Sequence, residues 1–299
     1  MVTIGDDDEI RTWATVRWPD IDWSGSEVRV GAFHHVALSA DGPIMRGAAG
    51  LGHAARVARE LAVAEVVAGL GLKVPVPAVL DGPVGDEMMT AILITRAPGV
   101  HGPDREWDAD LAEVYRELLT DFGGADLGAG SSLPCPRSWC GGPEWPGLVQ
   151  TVTAALPKRL QELAAQLVVA VLEVETEGQW CFVHGDFGQH NILWQGGNAT
   201  SVIDFDHACL GDRAIDVAPL VGFYGADAVA SIVESRLLER AMVHRSTLSL
   251  QVACAAHLIG QYALRDHGLQ NFARRAAEGT LYDPGGRRPG QTTAAEVER

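Results

Sequence analysis

An α+β fold in two lobes, a small sheet-based N-terminal lobe and a larger, mainly helical C-terminal one, is what the order of patterns along this 299-residue chain predicts. Three observations carry it. Short alternating apolar segments, with one helical stretch among them, fill the first hundred residues. Helical periodicity dominates the remaining two hundred, and a single compact hairpin interrupts it near residue 195. The length suits one large domain or two smaller ones.

Residues 27–46 alternate as strands do, through Val28, Val30, Val36, Leu38 and, after the turn Ala40-Asp-Gly-Pro43, Ile44 and Met45. Ala54 to Leu70 is predicted as a helix with Val57, Leu61, Ala64 and Ala68 on its inner face, ended by Gly69 and Gly71. Val74-Pro-Val-Pro77 must be extended, because each proline disfavours helix at the residue before it. Met89 to Thr95 follows as a buried strand, stopped by Pro98-Gly99. Further on, helices are expected over 108–121, 156–177, 213–221, 226–244 and 248–278. Residues 122–147, rich in Gly, Pro, Ser and Trp, form an irregular excursion. The expected units are a lobe with its hinge over 1–97, a second lobe over 98–282 and a loose tail over 283–299.

Composition narrows the function. Hydrophobic residues at 47% and charged residues at 21% are ordinary for a folded protein, and no apolar run reaches the roughly 20 residues that span a bilayer. The acidic start, Met1 to Glu9, has no apolar signal region, so a cytoplasmic protein is expected. Five scattered cysteines give no disulfide framework, and Cys135 and Cys140 lack neighbours to complete a zinc site. A net charge of −16 argues against nucleic acid as a partner. It suits either a cationic substrate drawn by the field or a surface kept soluble by its acids.

The chemistry concentrates in Phe182-Val-His-Gly-Asp-Phe-Gly-Gln-His-Asn-Ile-Leu-Trp194 and Ser201-Val-Ile-Asp-Phe-Asp206. If the intervening hairpin is symmetric, Trp194 faces Ser201 and the same register sets Asn191 opposite Asp204. An amide oxygen and a carboxylate side by side are hard ligands suited to magnesium. Asp186, five residues before Asn191, lies in the loop entering the hairpin. A carboxylate to take a hydroxyl proton beside ligands for a phosphate-bound metal is the set that phosphoryl transfer needs.

His184-Gly-Asp-x4-Asn191 with Ile203-Asp204-Phe205 resembles the aminoglycoside phosphotransferase family, relatives of the protein kinases, over most of the chain. Within it, Phe33-His-His-Val36 and the 182–225 segment ending in Phe223-Tyr-Gly225 look most like the viomycin and capreomycin phosphotransferases. The resemblance implies a protein-kinase-like fold, ATP and Mg2+ as cofactors, Asp186 as the base, and Asn191 and Asp204 as metal ligands. It implies structural support from His184 and Asp216, the latter holding the loop backbone, while Asp212 is expected to cap the following helix. Arg46 would contact the nucleotide phosphates, Glu60 would pair with Arg46, and the backbones of Thr95 and Ala97 would meet the adenine. Asp206 is a candidate substrate contact. His34 and His35, as strand neighbours, are not expected to chelate together, though a role near the phosphates is open to them, and Trp139 and Trp145 could cover a substrate.

The chain departs from the protein kinases at three points: it has no G-x-G-x-x-G, Gly185 stands where they carry arginine, and Asp206 replaces the glycine of D-F-G. These departures imply an enzyme without a phosphorylation switch. The expected function is transfer of the γ-phosphate to a hydroxyl of a cationic small molecule, a peptide antibiotic or an aminoglycoside, by a monomer with no membrane partner. A kinase of a cellular metabolite such as choline, homoserine or a sugar amine, or a silent nucleotide-binding module, would share the motifs.

Overall fold

The computed structural model describes residues 6–40, 42–102, 105–128 and 132–291. Asp7 to Glu9 open a helix, α1 (Asp7–Arg17), which the sequence reading missed. Asp6 caps it by accepting from Glu9 N at 2.8 Å, and Asp7, Asp8 and Glu9 lie in the first turn, where the helix dipole favours acids.

Five antiparallel strands follow in the spatial order β1-β2-β3-β5-β4: β1 (Glu27–Val30), β2 (His35–Leu38), β3 (Ile44–Ala49), β4 (Val79–Gly85) and β5 (Met89–Ile94). Alternation divides the faces. Met45, Met89, Ala91 and Leu93 pack on one side against Ile10, Trp13, Trp18 and Trp23. Arg46, Ile92 and Ile94, one residue out of phase, turn to the other, beneath α2 (His53–Gly69). The buried stripe of α2 is Arg56, Val57, Glu60, Val63 and Val67, whereas Ala68, expected inward, is exposed. Two ionic residues thus sit within an otherwise apolar face.

Beyond β6 (Val100–His101) come α3 (Ala109–Gly123), α4 (Trp145–Thr153) and α5 (Lys158–Glu175). The excursion before α4 contains two short 3-10 helices, Ser138–Cys140 and Gly142–Glu144. Trp145, expected as a substrate cover, is fully buried at the head of α4 with Arg137 over its ring. Trp139 stacks on His207 at 3.9 Å and meets Phe33 of the small lobe edge-on at 6.4 Å.

The loop carrying His184 to Asn191 is framed by two small sheets. In one, β7 (Trp180–Val183) pairs with β10 (Cys209–Asp212), a pair the sequence did not reveal. In the other, β8 (Ile192–Gln195) lies between β6 and β9 (Asn198–Val202).

The remaining helices are α6 (Ala214–Tyr224), α7 (Ala226–Val229), α8 (Ser235–Leu258) and α9 (Tyr262–Glu278). The break expected near 245–247 does not exist. Ser246 and Thr247 are buried in α8 and return their hydroxyls to Val243 O and His244 O, and Arg245 reaches the carbonyls of Thr280 and Leu281. The chain leaves helix instead at 230–234 and around Gly260, at φ 75°. Residues 283–291, expected to be loose, are docked: buried Asp283 accepts from Ala226 N at 2.7 Å, and Gly290 N donates to Glu239. Residues 292–299 lie outside the described part. No described helix is long and apolar enough to cross a membrane.

Candidate active site

A cavity of about 490 Å³ lies between the sheet and the β8–β9 hairpin, lined by Arg46, Glu60, Thr95, Ala97, Asn191 and Asp204, among others. All the cofactor and metal residues expected from the sequence therefore meet in one cleft. Val36, Ile44, Ile92 and Leu193 make parts of its wall apolar, as a flat base requires. Thr95 N is already bonded to Ala78 O at 2.8 Å, so of the Thr95 backbone only the carbonyl is left for a base.

The hairpin is not symmetric. Gln195 pairs with Asn198 across a two-glycine turn, Gly196 and Gly197 at φ 58° and 87°, and a bulge follows between Leu193 and Trp194. The register moves by one residue: Ile192 faces Val202, and Ile203 N donates to Asn191 O at 2.9 Å. Asn191 thus opposes Ile203, not Asp204 as the symmetric hairpin predicted. Asp204 nevertheless reaches the same cleft from a backbone turned left-handed, at φ 66°. A strained, non-glycine conformation at a cleft carboxylate is the kind of distortion that functional sites hold.

Asn191 is buried, and its Nδ2 donates to Asp186 O at 2.9 Å and to Asp186 Oδ2 at 3.3 Å. With the amide nitrogen so engaged, Asn191 Oδ1 is the atom left for a ligand. The Asp186 side chain is 41% exposed. Burial of its surroundings raises its pKa, but the His190 hydrogen bond at 3.3 Å and the fields of His207, His190 and His184 outweigh that and hold it well below the usual carboxylate range. The same bond draws the His190 pKa upward.

The loop is tied from beneath. His184 is fully buried; its Nδ1 accepts from Asp186 N at 3.2 Å and its Nε2 donates to Ile203 O at 2.9 Å, joining the Asp186 loop to the Asp204 segment. Asp216, on the first turn of α6, accepts from His184 N at 2.9 Å and Gly185 N at 2.8 Å. Burial pushes the Asp216 carboxyl up to about 7, against those two bonds and Arg213. Gly185 sits at φ 86°, and a Cβ there would run into the His207 carbonyl. Asp212 accepts from Ala214 N, but the cap position of α6 falls to Arg213 with no side-chain cap bond, and Asp212 instead holds Arg240 through two bonds at 2.7 and 3.2 Å.

The expected pairing of Arg46 with Glu60 is indirect. Arg46 Nη2 donates to Asp204 Oδ1 at 2.8 Å, to Asp206 and to His34 Nδ1 at 3.2 Å. His34 Nε2 then meets Glu60 Oε1 at 3.0 Å and Asp206 Oδ2 at 3.2 Å. Burial disfavours the guanidinium charge, but Asp204, Asp206 and Glu60 together keep it more firmly protonated than usual. Asp206, expected to touch the substrate, is instead taken up by Arg46 and His34. Ligand atoms of His34, Glu60 and Asp206 gather within 4.8 Å, where His34 Nε2 already serves both carboxylates.

Sequence reasoning missed His34 as the centre of this cluster, His190 beside Asp186, and Arg240 on Asp212. For His190 a signal existed, since it adjoins Asn191 within the motif. For Arg240 there was none, because its partner lies 28 residues away.

A profile of the Phosphotransferase enzyme family matches residues 44–241, from β3 into α8. The chain belongs to this family. Its members' relatedness here is distant: viomycin phosphotransferase from Streptomyces vinaceus is 25% identical over 268 residues, 83% of this chain and 92% of that protein. Among solved structures, the GDP complex of wild-type aminoglycoside 2'-phosphotransferase-IIIa superposes with a TM-score of 0.70 at 15% identity, covering 92% of this chain and all of that one. The streptomycin-ATP complex of APH(2")-IIa gives 0.60 at 15% identity, covering 95% and 100%. This phosphotransferase therefore has the protein-kinase-like α+β fold of those enzymes, as the motif resemblance implied.

Proposed function

We propose that this phosphotransferase transfers the γ-phosphoryl group of ATP to a hydroxyl of a cationic antibiotic, with viomycin- or capreomycin-type cyclic peptides ahead of aminoglycosides. One observation carries the transfer reading: Asn191, which lines the nucleotide-sized cleft, holds Asp186 by two hydrogen bonds, so base and cleft form one unit. Asp186, ionised, accepts the proton of the acceptor hydroxyl as the oxygen attacks phosphorus. Arg46 faces the phosphates, and the Thr95 carbonyl with Ala97 N–H meets the base.

The residues fit magnesium. Asn191 Oδ1 and the Asp204 carboxylate are hard oxygen donors on one cleft wall, and they would hold the ion. When bound, it neutralises charge on the phosphate oxygens. Support for the acceptor comes from the viomycin phosphotransferase relative and from the net charge of −16.

A phosphorylation screen with mass detection tests the reading, using viomycin, capreomycin, kanamycin, choline and homoserine with Mg-ATP and with metal-free ATP. A mass gain of one phosphate on the cyclic peptides is expected. Transfer to choline or homoserine alone would replace the antibiotic reading with a metabolite kinase. No transfer and no ATP hydrolysis would leave a silent nucleotide-binding module.

A further inference from the structure

We propose that His34 stands between Arg46 and Glu60 to keep the arginine available to the phosphates of a nucleoside polyphosphate; the proposal rests on the cleft being the ATP site. Arg46 and Glu60 are opposite charges, both largely withdrawn from water and both lining the cleft. Left to themselves, a guanidinium and a carboxylate so placed close into a fork-to-fork pair, using two N–H groups at once. Here they do not.

The loop between β1 and β2 is closed by Gly31 N donating to His34 O at 2.8 Å, and it delivers the His34 ring into the gap. Donor bookkeeping fixes how the ring works. Its Nε2 faces only carboxylate oxygens, of Glu60 and Asp206, which accept. Its Nδ1 faces Arg46 Nη2, which can only donate. One tautomer serves both sides, with the proton on Nε2 and a bare Nδ1. The imidazole thus gives Glu60 a donor and Arg46 an acceptor while holding the two apart.

The consequence shows at the guanidinium. Among the described residues, every hydrogen bond of Arg46 leaves from Nη2, to His34, Asp204 and Asp206, and Nε is buried without a partner. A direct fork with Glu60 would take two N–H groups out of the cleft. His34 is accordingly a positioning residue, acting on phosphate recognition through Arg46. The metal-ligand set does not include it.

The test compares ADP and adenosine binding by calorimetry, without metal, for wild type, His34→Ala, His34→Gln and His34→Ala with Glu60→Gln. In His34→Ala, ADP affinity should fall about tenfold, the scale of one charge-assisted hydrogen bond, with adenosine affinity unchanged. His34→Gln keeps one donor and one acceptor on an amide and should stay within about threefold of wild type. The added Glu60→Gln removes the competing charge and should recover ADP binding. Equal ADP affinity in wild type and His34→Ala, or a parallel fall for adenosine, would overturn the proposal. A wild-type protein that binds neither ADP nor ATP would mark a failure of the phosphotransferase reading itself.

Discussion

Arg46 and Asp204, 158 residues apart, meet at 2.8 Å across the cleft. One guanidinium nitrogen thereby ties the small sheet to the segment that carries the expected metal ligand. The bond joins partners with competing uses, because a phosphate would claim the arginine and a metal ion the carboxylate.

Asp204→Ala should separate those uses. Affinity for ADP without magnesium should hold or rise, since the guanidinium loses a competitor, while the gain on adding magnesium disappears. Calorimetry with and without the ion measures both; a gain equal to that of wild type would remove Asp204 from the ligand set.

Asp186→Asn should cost about 10²–10⁴ in kcat, the usual contribution of a general base, and leave the nucleotide dissociation constant unchanged. Turnover within about threefold of wild type would contradict the assignment.

Gly185→Ala should destabilise the protein. At φ 86° a side chain brings roughly 1–3 kcal/mol of backbone strain before its collision with the His207 carbonyl is counted. The arginine that protein kinases carry at this place is therefore excluded by the backbone itself. A denaturation midpoint unchanged by the substitution would refute the argument.

The buried Asp216 makes stability depend on pH. Its folded pKa, about 7, lies above the ordinary 3.8. Between those values the unfolded chain has released the proton that the folded one keeps, so this group's contribution falls as pH rises from about 4 to about 7 and is level above. Asp216→Asn should flatten that slope and loosen the loop, since an amide offers one acceptor where the carboxylate served two N–H groups. Denaturant midpoints from pH 5 to pH 8, about the usable range, should show the difference between the two proteins.

Electrostatic steering of a cationic acceptor should weaken with salt. Between about 0.05 and 0.5 M the Debye length shortens roughly threefold, so kcat/KM should fall, chiefly through KM. Indifference to salt would argue for an uncharged acceptor.

How much of this was legible depended on separation along the chain. The motif from His184 to Asp206 could be read because its members are local and their spacing is chemical. The strands over 27–46 and 89–94 were legible from their apolar patterns, but β4 was not, since Gly82, Pro83 and Gly85 interrupt its pattern. The one-residue error at Asn191 came from the hairpin tip, where Gly196-Gly197 make a two-residue turn and the bulge absorbs the remainder. Residues 245–247 looked like a linker because they are polar; their hydroxyls bond back into α8, which only tertiary burial makes worthwhile. His34 could be set near the phosphates as one option, but its place between Arg46 and Glu60 was beyond reach, since it needs Arg46, Glu60 and Asp206 from three different elements.

The ring of Trp139, seated on His207 and touching Phe33, is one of several attachments between the lobes besides the chain connection after Thr95; Val63 and Val67 of α2 share a core cluster with Leu111 and Tyr115, and Val202 N donates to Pro75 O at 3.2 Å. The bond from Arg46 to Asp204 adds a polar tether across the cleft. A nucleotide that draws Arg46 away would release that tether alone, and the apolar attachments, one of them an aromatic ring from the segment that looked least ordered in the sequence, would still hold the lobes together.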